Sequence, residues 1–226
     1  KSFDLSNYVE VFTGNIWHYF LNSVIVMAVT LVILLLFSAF AAYPLSRWKF
    51  KLNKPIYALV VACMSVPIHV TLLPIFMMAV GTGLYDSIWA LVGPYVAFNL
   101  PISVFILVTF MASIPKELEE AADIDGCGRY GRFWKIMLPQ VKPAVITLVI
   151  LSVNGSWNDL LWPMIVTSST EMRTLANGLA LFIGQNTIEY GAAFAGALVS
   201  LLPMFVLYMF GQKYFVEGMS SGGLKG

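Results

Sequence analysis

Charge is what this chain has least of. Of 226 residues only 11% are Asp, Glu, Lys or Arg, against about 25% in a soluble globular domain. With 59% hydrophobic residues and a mean hydropathy of +0.81, the chain would not stay in water by itself. Its charges nearly cancel, at +1, and no basic run marks a nucleic-acid partner. Cysteine is scarce: Cys63 lies in an apolar run and Cys127 in a charged loop. Thiols at different depths make no disulfide, and no CxxC or Cys/His cluster suggests a metal. The two histidines, His18 and His69, are too few and too far apart to add one. No GxxxxGK[ST] phosphate loop, HExxH or GxSxG is present, so no catalytic set is expected and the chain is not itself an ATPase. No cofactor is therefore expected in this chain. No repeat of period 20–50 and no low-complexity linker divides it.

What the chain does have is long apolar runs. A helix needs about 20 apolar residues to cross the hydrocarbon core. Five runs meet that length: Asn22 to Ala42, Ile56 to Val80, Ile88 to Met111, Pro143 to Val166 and Ala192 to Phe215. These predict an all-α, polytopic membrane helix bundle, a single domain over 1–226. Pro67 and Pro74 should break the second run, and Gly93-Pro94 with Asn99-Leu100-Pro101 the third, each freeing a carbonyl. Broken helices are tolerated in a membrane where the backbone faces protein or a water-filled path. Pro203 interrupts the fifth run. Thr167 to Gly191 is too polar to cross and predicts a short helix around Leu175 to Ile183. The chain opens on Lys1 rather than Met, so an earlier start is expected.

One strongly charged island stands out, the loop over 113–140. Pro115 can open a helix, since a first helical position needs no amide hydrogen. Glu117, Glu119 and Glu120 follow in the first turns, where the helix dipole favours negative charge. Leu118, Ala121, Ala122 and Asp125 come at helical spacing, and Gly126 accepts the left-handed conformation that ends a helix. A second short helix, Tyr130 to Met137, precedes Pro139. This is a rigid knob suited to docking in a cleft, or an interfacial helix lying on the membrane.

The spacing says more. Glu120-Ala121-Ala122, three residues, Gly126, nine residues, Ile136, one residue, Leu138-Pro139 resembles the signature of membrane permeases of bacterial ABC importers. Ala97 to Leu107 (AFNLPISVFIL) and Asn154 to Thr167 (NGSWNDLLWPMIVT) extend the likeness across nearly the whole chain. The tail from Val216 to Gly226 is similar to the end of the sugar-importing branch. The resemblance implies the type I importer permease fold with six helices, one of them before Lys1. It implies that 113–140 is the cytoplasmic coupling-helix loop seated in a groove of an ATPase subunit. Leu118, Glu120, Ala121, Ala122, Gly126, Ile136, Leu138 and Pro139 would carry that coupling. The tail, Gly222, Gly223, Leu224, Lys225 and Gly226, would reach between the ATPase subunits. Without the resemblance, Glu120 is an acid on a solvated face and the tail a disordered end.

The implied partners are a second permease, two ATPase subunits that bind ATP and Mg, an extracytoplasmic solute-binding protein and the lipid membrane. The implied function is carbohydrate import by alternating access, in a bacterial inner membrane. An amino acid or an osmolyte is the nearest alternative cargo. Basic residues set the orientation. With the charged loop inside, eleven of the thirteen Lys and Arg lie on its side and two, Lys1 and Arg173, on the other. The chain's start is then outside and its tail cytoplasmic.

Polar groups at membrane depth are costly and mark pathways. Asn154, Ser156, Trp157, Asn158 and Asp159 are the best such candidates. Amide, hydroxyl and carboxylate beside an indole suit a sugar. Equally, Asn154 and Ser156 could bind neighbouring helices, and Trp157 and Trp162 could sit in an interfacial belt. Asp159, about 25 Å into its run, would be near the outer mouth. His69 packs between its prolines or lines a path, and Asn99 caps a break or lines a path. A membrane-embedded enzyme would need catalytic groups gathered at one depth. A stand-alone secondary transporter would show paired intramembrane charges and inverted repeats. Neither pattern is visible.

Overall fold

The structure is a computed structural model that describes residues 15–181 and 190–223. Among those residues every regular element is a helix. In order they are α1 (Ile16–Arg47), α2 (Asn53–Cys63), a 3-10 turn (Ile68–Thr71), α3 (Leu72–Gly81) and α4 (Ile88–Ser113). The charged loop follows as α5 (Glu117–Ile124), α6 (Arg129–Arg132), a wide π turn (Phe133–Met137) and α7 (Leu138–Gln140). Then come α8 (Lys142–Trp157), α9 (Leu161–Val166), a 3-10 turn (Thr170–Met172), α10 (Leu175–Ala180) and α11 (Tyr190–Gly223).

Among the described residues, α1 and α4 are each long and apolar enough to cross a membrane alone. Two bent pairs pass if each is taken as one span: α2 with Ile68–Gly81, bent by 87°, and Arg129–Gln140 with α8, bent by 69°. In α11 the apolar helix is Phe194–Met209. The ends of α11 and of the tail matter to the coupling expectation. Gly222 and Gly223 are the last residues of α11, while Leu224, Lys225 and Gly226 lie outside the described residues.

Prolines explain where the expected spans hold and where they do not. The break in the second run falls at 64–67, before Pro67's own turn. Pro74 breaks nothing, because it sits in the first turn of α3, where an amide would lack an intrahelical partner anyway. The two breaks expected in the third run are absent: α4 runs unbroken through Pro94 and Pro101. Pro94 offers no amide to the carbonyl of Ala90, and the buried indole of Trp162 donates Nε1–H there instead, at 3.0 Å. The fourth run was expected to be one helix, but α8 stops at Trp157 and α9 starts at Leu161. Pro163 cannot bond the Asp159 carbonyl, and its ring crowds that group. It fits instead near the start of a new helix. The π turn lies just before Pro139, which brings no amide for Lys135. There Leu138 N–H reaches five residues back to Phe133 O.

The chain packs as two compact units. Among the described residues the first takes in 15–30, 69–95, 152–181 and 190–210. Its core includes Tyr19, Leu91, Tyr95, Trp157, Trp162 and Leu175, all buried. The polar segment after α9 is pinned to the start of α1. Asn22 Nδ2 donates to the carbonyls of Glu171 (2.6 Å) and Arg173 (2.9 Å), and Leu175 N–H donates to Ser23 Oγ at 2.8 Å. Asp86, a non-glycine residue at φ 56°, adds a second pin. Its Oδ1 accepts the amides of Ser168 (2.9 Å) and Ser169 (3.2 Å).

The second unit takes in 31–68, 96–151 and 211–223. Its core is built from α1 (Ala39, Ala42, Tyr43), α4 (Val104, Leu107, Met111), the π turn (Phe133, Met137) and α8 (Ala144, Leu148). Tyr43 and Phe133 rings meet at 5.3 Å, and Phe40 stacks on Phe133 at 5.2 Å. The charged loop grows directly from this core.

Candidate functional site

The acidic helix α5 is eight residues long, too short to hold its shape alone in water. Its end is locked by glycine. Gly126 takes φ 77°, Cys127 N–H bonds Ala122 O at 2.8 Å and Gly126 N–H bonds Asp123 O at 3.0 Å. This is the paired-bond stop that a left-handed glycine allows. Its start falls at Glu117, two residues after Pro115, which stays outside the helix.

The helix has two faces, and they divide the sequence candidates. Ala122 is buried and Glu119 half-buried, so 119 and 122 turn inward. Glu117, Glu120, Ala121 and Ile124 are exposed and recur at the helical interval, forming an outward stripe. The helical spacing of Leu118, Ala121, Ala122 and Asp125 therefore makes no single buried face, since Ala122 is buried and the other three are exposed. Leu118 is exposed on the flank.

Ile136, Leu138 and Pro139 are not on this stripe. Leu138 packs against the core of the second unit. Leu138 and Pro139 also line an apolar cavity of about 400 Å³ with Phe40, Phe133 and Trp134.

Two apolar residues escaped the sequence reading. Ile124 is 87% exposed and Tyr130 82% exposed. Large apolar side chains this exposed beside an acidic helix make a candidate docking surface. The signal was there, in apolar side chains placed off the buried face of a charged stretch. Behind them lies a polar cavity of about 380 Å³ lined by Arg47, Trp48, Lys116, Glu119, Arg129 and Arg132 among others. Arg129 lies over the Trp48 ring at 5.2 Å, and Arg132 pairs with Asp123.

The intramembrane candidates separate in the same manner. Asn154 and Asn158 are exposed and share a face with Leu151 and Gly155. Asn158 Nδ2 donates to Asn154 Oδ1 and O, both at 3.0 Å. A polar stripe of this kind is costly against lipid, so it faces water or another protein. Ser156 Oγ spends its donor on Ser152 O at 2.9 Å.

Trp157 leaves the candidate list. It is buried, meets Phe20 edge-on at 5.6 Å and donates to Ser200 O at 3.0 Å, so it offers a solute no surface and sits in no belt. Trp162 is buried likewise.

Asp159 is structural. One oxygen accepts Tyr95 OH at 2.9 Å and the other Leu161 N–H at 3.1 Å, which starts α9. His69 is exposed in the 3-10 turn after the 64–67 break. Asn99 is half-buried within unbroken α4, so it caps no break, and its carbonyl accepts Ser103 Oγ at 2.7 Å.

The segment from α2 through α3 has a further property. Among the described residues 53–81, Ala79 is the buried one. Leu59, Val70, Leu73, Met77 and Met78 all stand exposed.

Comparison with known proteins fits this geometry. Residues 34–221 match the family described as binding-protein-dependent transport system inner membrane component. An ABC transporter permease protein of Caldicellulosiruptor sp. is 43% identical over 98% of this chain and 81% of the relative. The arabinooligosaccharides transport system permease protein of Halalkalibacterium halodurans is 37% identical over 98% of this chain and 80% of its own length. In fold, a chain of a bacterial ABC transporter involved in the import of the acidic polysaccharide alginate superposes with a TM-score of 0.81. It covers 94% of this chain and 80% of the other, at 21% identity.

Proposed function

The chain belongs to the family of binding-protein-dependent transport system inner membrane components, and from that premise we propose that it forms half of the path of an ATP-driven carbohydrate importer. The observation that carries the reading is the outward stripe Glu117, Glu120, Ala121 and Ile124, presented on a helix whose other face is held by its own chain. Two ATPase subunits, which bind ATP and Mg, receive this stripe and its copy on a second permease. Tyr130 adds to the contact, and the tail from Gly222 to Gly226 reaches the same partners.

The second permease covers the exposed faces of 53–81 and the Asn154–Asn158 stripe, so that Asn154, Ser156, Asn158, Asn99 and His69 border the shared path. In this reading the chain crosses the membrane five times: α1, α4 and the two bent pairs pass by length and composition, and α11 supplies the fifth. The start of the chain lies outside, the tail in the cytoplasm, and an extracytoplasmic binding protein delivers the solute. Carbohydrate as the cargo is supported by relatives that are named for oligosaccharides. ATP closes the ATPase dimer, the acidic helices move with it, and the bent spans reopen outward; this chain transmits that work and hydrolyses nothing.

The test is reconstitution of the four-subunit assembly with its binding protein in vesicles. ATP-driven uptake of an oligosaccharide is expected. Glu120→Lys and Ile124→Asp should each lower uptake by about tenfold or more, as loss of an interface anchor does, with the chain still folded. Normal uptake and assembly with both substitutions would remove the docking assignment. Uptake of an amino acid in place of a sugar would correct the cargo alone.

A further inference from the structure

An eight-residue helix with little buried surface needs something else to fix its angle. The structure offers a specific candidate at the foot of α1. Arg47 and Glu119 form an ion pair at 2.8 Å, with side chains only 5% and 14% exposed. The guanidinium is also held from the other side. Its Nη2 donates to Ile114 O at 2.8 Å, at the point where α4 has just ended. Tyr43, one turn up α1, donates its hydroxyl to the second oxygen of Glu119 at 3.4 Å. One arginine therefore ties three elements: the end of α1, the exit of α4 and the inward face of α5.

We propose that Arg47 is a positioning residue for coupling, a clamp that makes α5 move as one body with α1 and α4. The inference rests on the importer reading above, and it assigns roles to two residues outside the matched motif. Solvent-exposed ion pairs add little, because water screens them and long side chains lose freedom. This pair is shielded, and the planar guanidinium is turned by a second nitrogen bonded to the Ile114 carbonyl, so its direction is held as well as its charge. Glu119 and Glu120 are thus neighbours with opposite duties. Glu120 faces the partner, and Glu119 faces the clamp.

The experiment compares Glu119→Gln, Arg47→Lys and the exchange Arg47→Glu with Glu119→Arg in the assembled transporter. Three quantities are read: co-purification of all subunits, ATPase rate with loaded binding protein, and solute moved per ATP. For Glu119→Gln, assembly and ATPase are expected to persist while solute per ATP falls about tenfold, the scale of a lost coupling contact. Arg47→Lys keeps the charge but loses the fork, and should fall in between. The exchanged pair should recover most of the native ratio.

Unchanged solute per ATP in both single variants overturns the clamp, as does an exchanged pair no better than the singles. If Glu119→Gln fails to assemble, amide exchange of the full chain in detergent decides. Faster exchange confined to 117–124 supports the clamp, and unchanged or uniformly faster exchange overturns it. A native assembly that moves no solute with ATP sinks the importer reading and leaves the exchange result to judge the clamp on its own.

Discussion

The two compact units hold their polar groups by different chemistry. In the first, neutral donors serve backbone carbonyls: Trp162 to Ala90, Trp157 to Ser200, Asn22 to Glu171 and Arg173. In the second, ions pair around the acidic helix: Arg47 with Glu119 and Arg132 with Asp123. The contrast teaches what each region must withstand. An indole–carbonyl bond carries no net charge, so salt and pH leave it alone. It suits places where proline or a helix end leaves the backbone short of a partner. An ion pair fixes direction and responds to the charge of whatever approaches, which suits a part that takes up a partner's motion. The first unit repairs its backbone, and the second aims a surface.

The sharpest way to break the comparison is steric. Gly178 begins its contact where the ring of Tyr19 already lies, so a Cβ there meets Cδ2 and Cε2 of that ring. Gly178→Ala should cost about 3 kcal/mol, the upper part of the range for overpacking a core. Thermal unfolding in detergent measures it. In the second unit, a Cβ on Gly131 meets only Cys127 Sγ, at 2.6 Å, a side-chain end that can rotate away. Gly131→Ala should cost well under half as much. Equal losses would mean that the first unit is no more tightly packed than the second.

Next in size are the two indoles. Trp162→Phe keeps most of the ring but leaves Ala90 O without its donor, and Pro94 has none to lend. A buried acceptor left bare costs about 1–3 kcal/mol. Trp157→Phe removes a similar bond to Ser200 O, yet residue 204, one turn on in α11, is a methionine with an amide to give. Its cost should stay near the net value of one hydrogen bond, about 1 kcal/mol. If both variants lose the same stability, the idea that Trp162 substitutes for a missing proline donor fails.

These residues also show how far the sequence carries. The acidic helix, its glycine stop and the apolar runs were legible, because capping and length are local properties. The prolines were legible only as hazards. Pro94 spares α4 because Trp162, 72 positions from Ala90 in sequence, fills the gap at that carbonyl, and no local rule announces such a partner. Trp157 stayed open between a sugar-facing indole and a belt residue, because composition cannot tell a buried indole from an exposed one. Ala121 and Ala122 both fit the helical spacing from Leu118, and only the packing shows that one is exposed and the other buried, about 100° round the helix. Ile124 was passed over for lying outside the motif, while its exposure makes it the most prominent apolar side chain of the loop.

The smallest effect lies at Asp86, where the first unit, as at Asp159, uses a carboxylate instead of a neutral group. Burial pushes this carboxyl up, but the amides and side chains of Ser168 and Ser169 outweigh it and hold the carboxyl below its ordinary 3.8. A group depressed by folding binds fewer protons in the folded state than in the unfolded one. Its stabilisation is therefore complete above 3.8 and disappears as pH falls through the folded value. Asp86→Asn keeps an acceptor for Ser169 and tolerates φ 56°, since asparagine enters the left-handed region readily. At pH 7 the variant should lose about 0.5 kcal/mol, the difference between a charged and a neutral acceptor. Well below pH 3.8 the two proteins should unfold alike, because Asp86 is then protonated in both states. A gap that persists unchanged into acid would show that the loop over 167–169 is held by shape and not by the carboxylate.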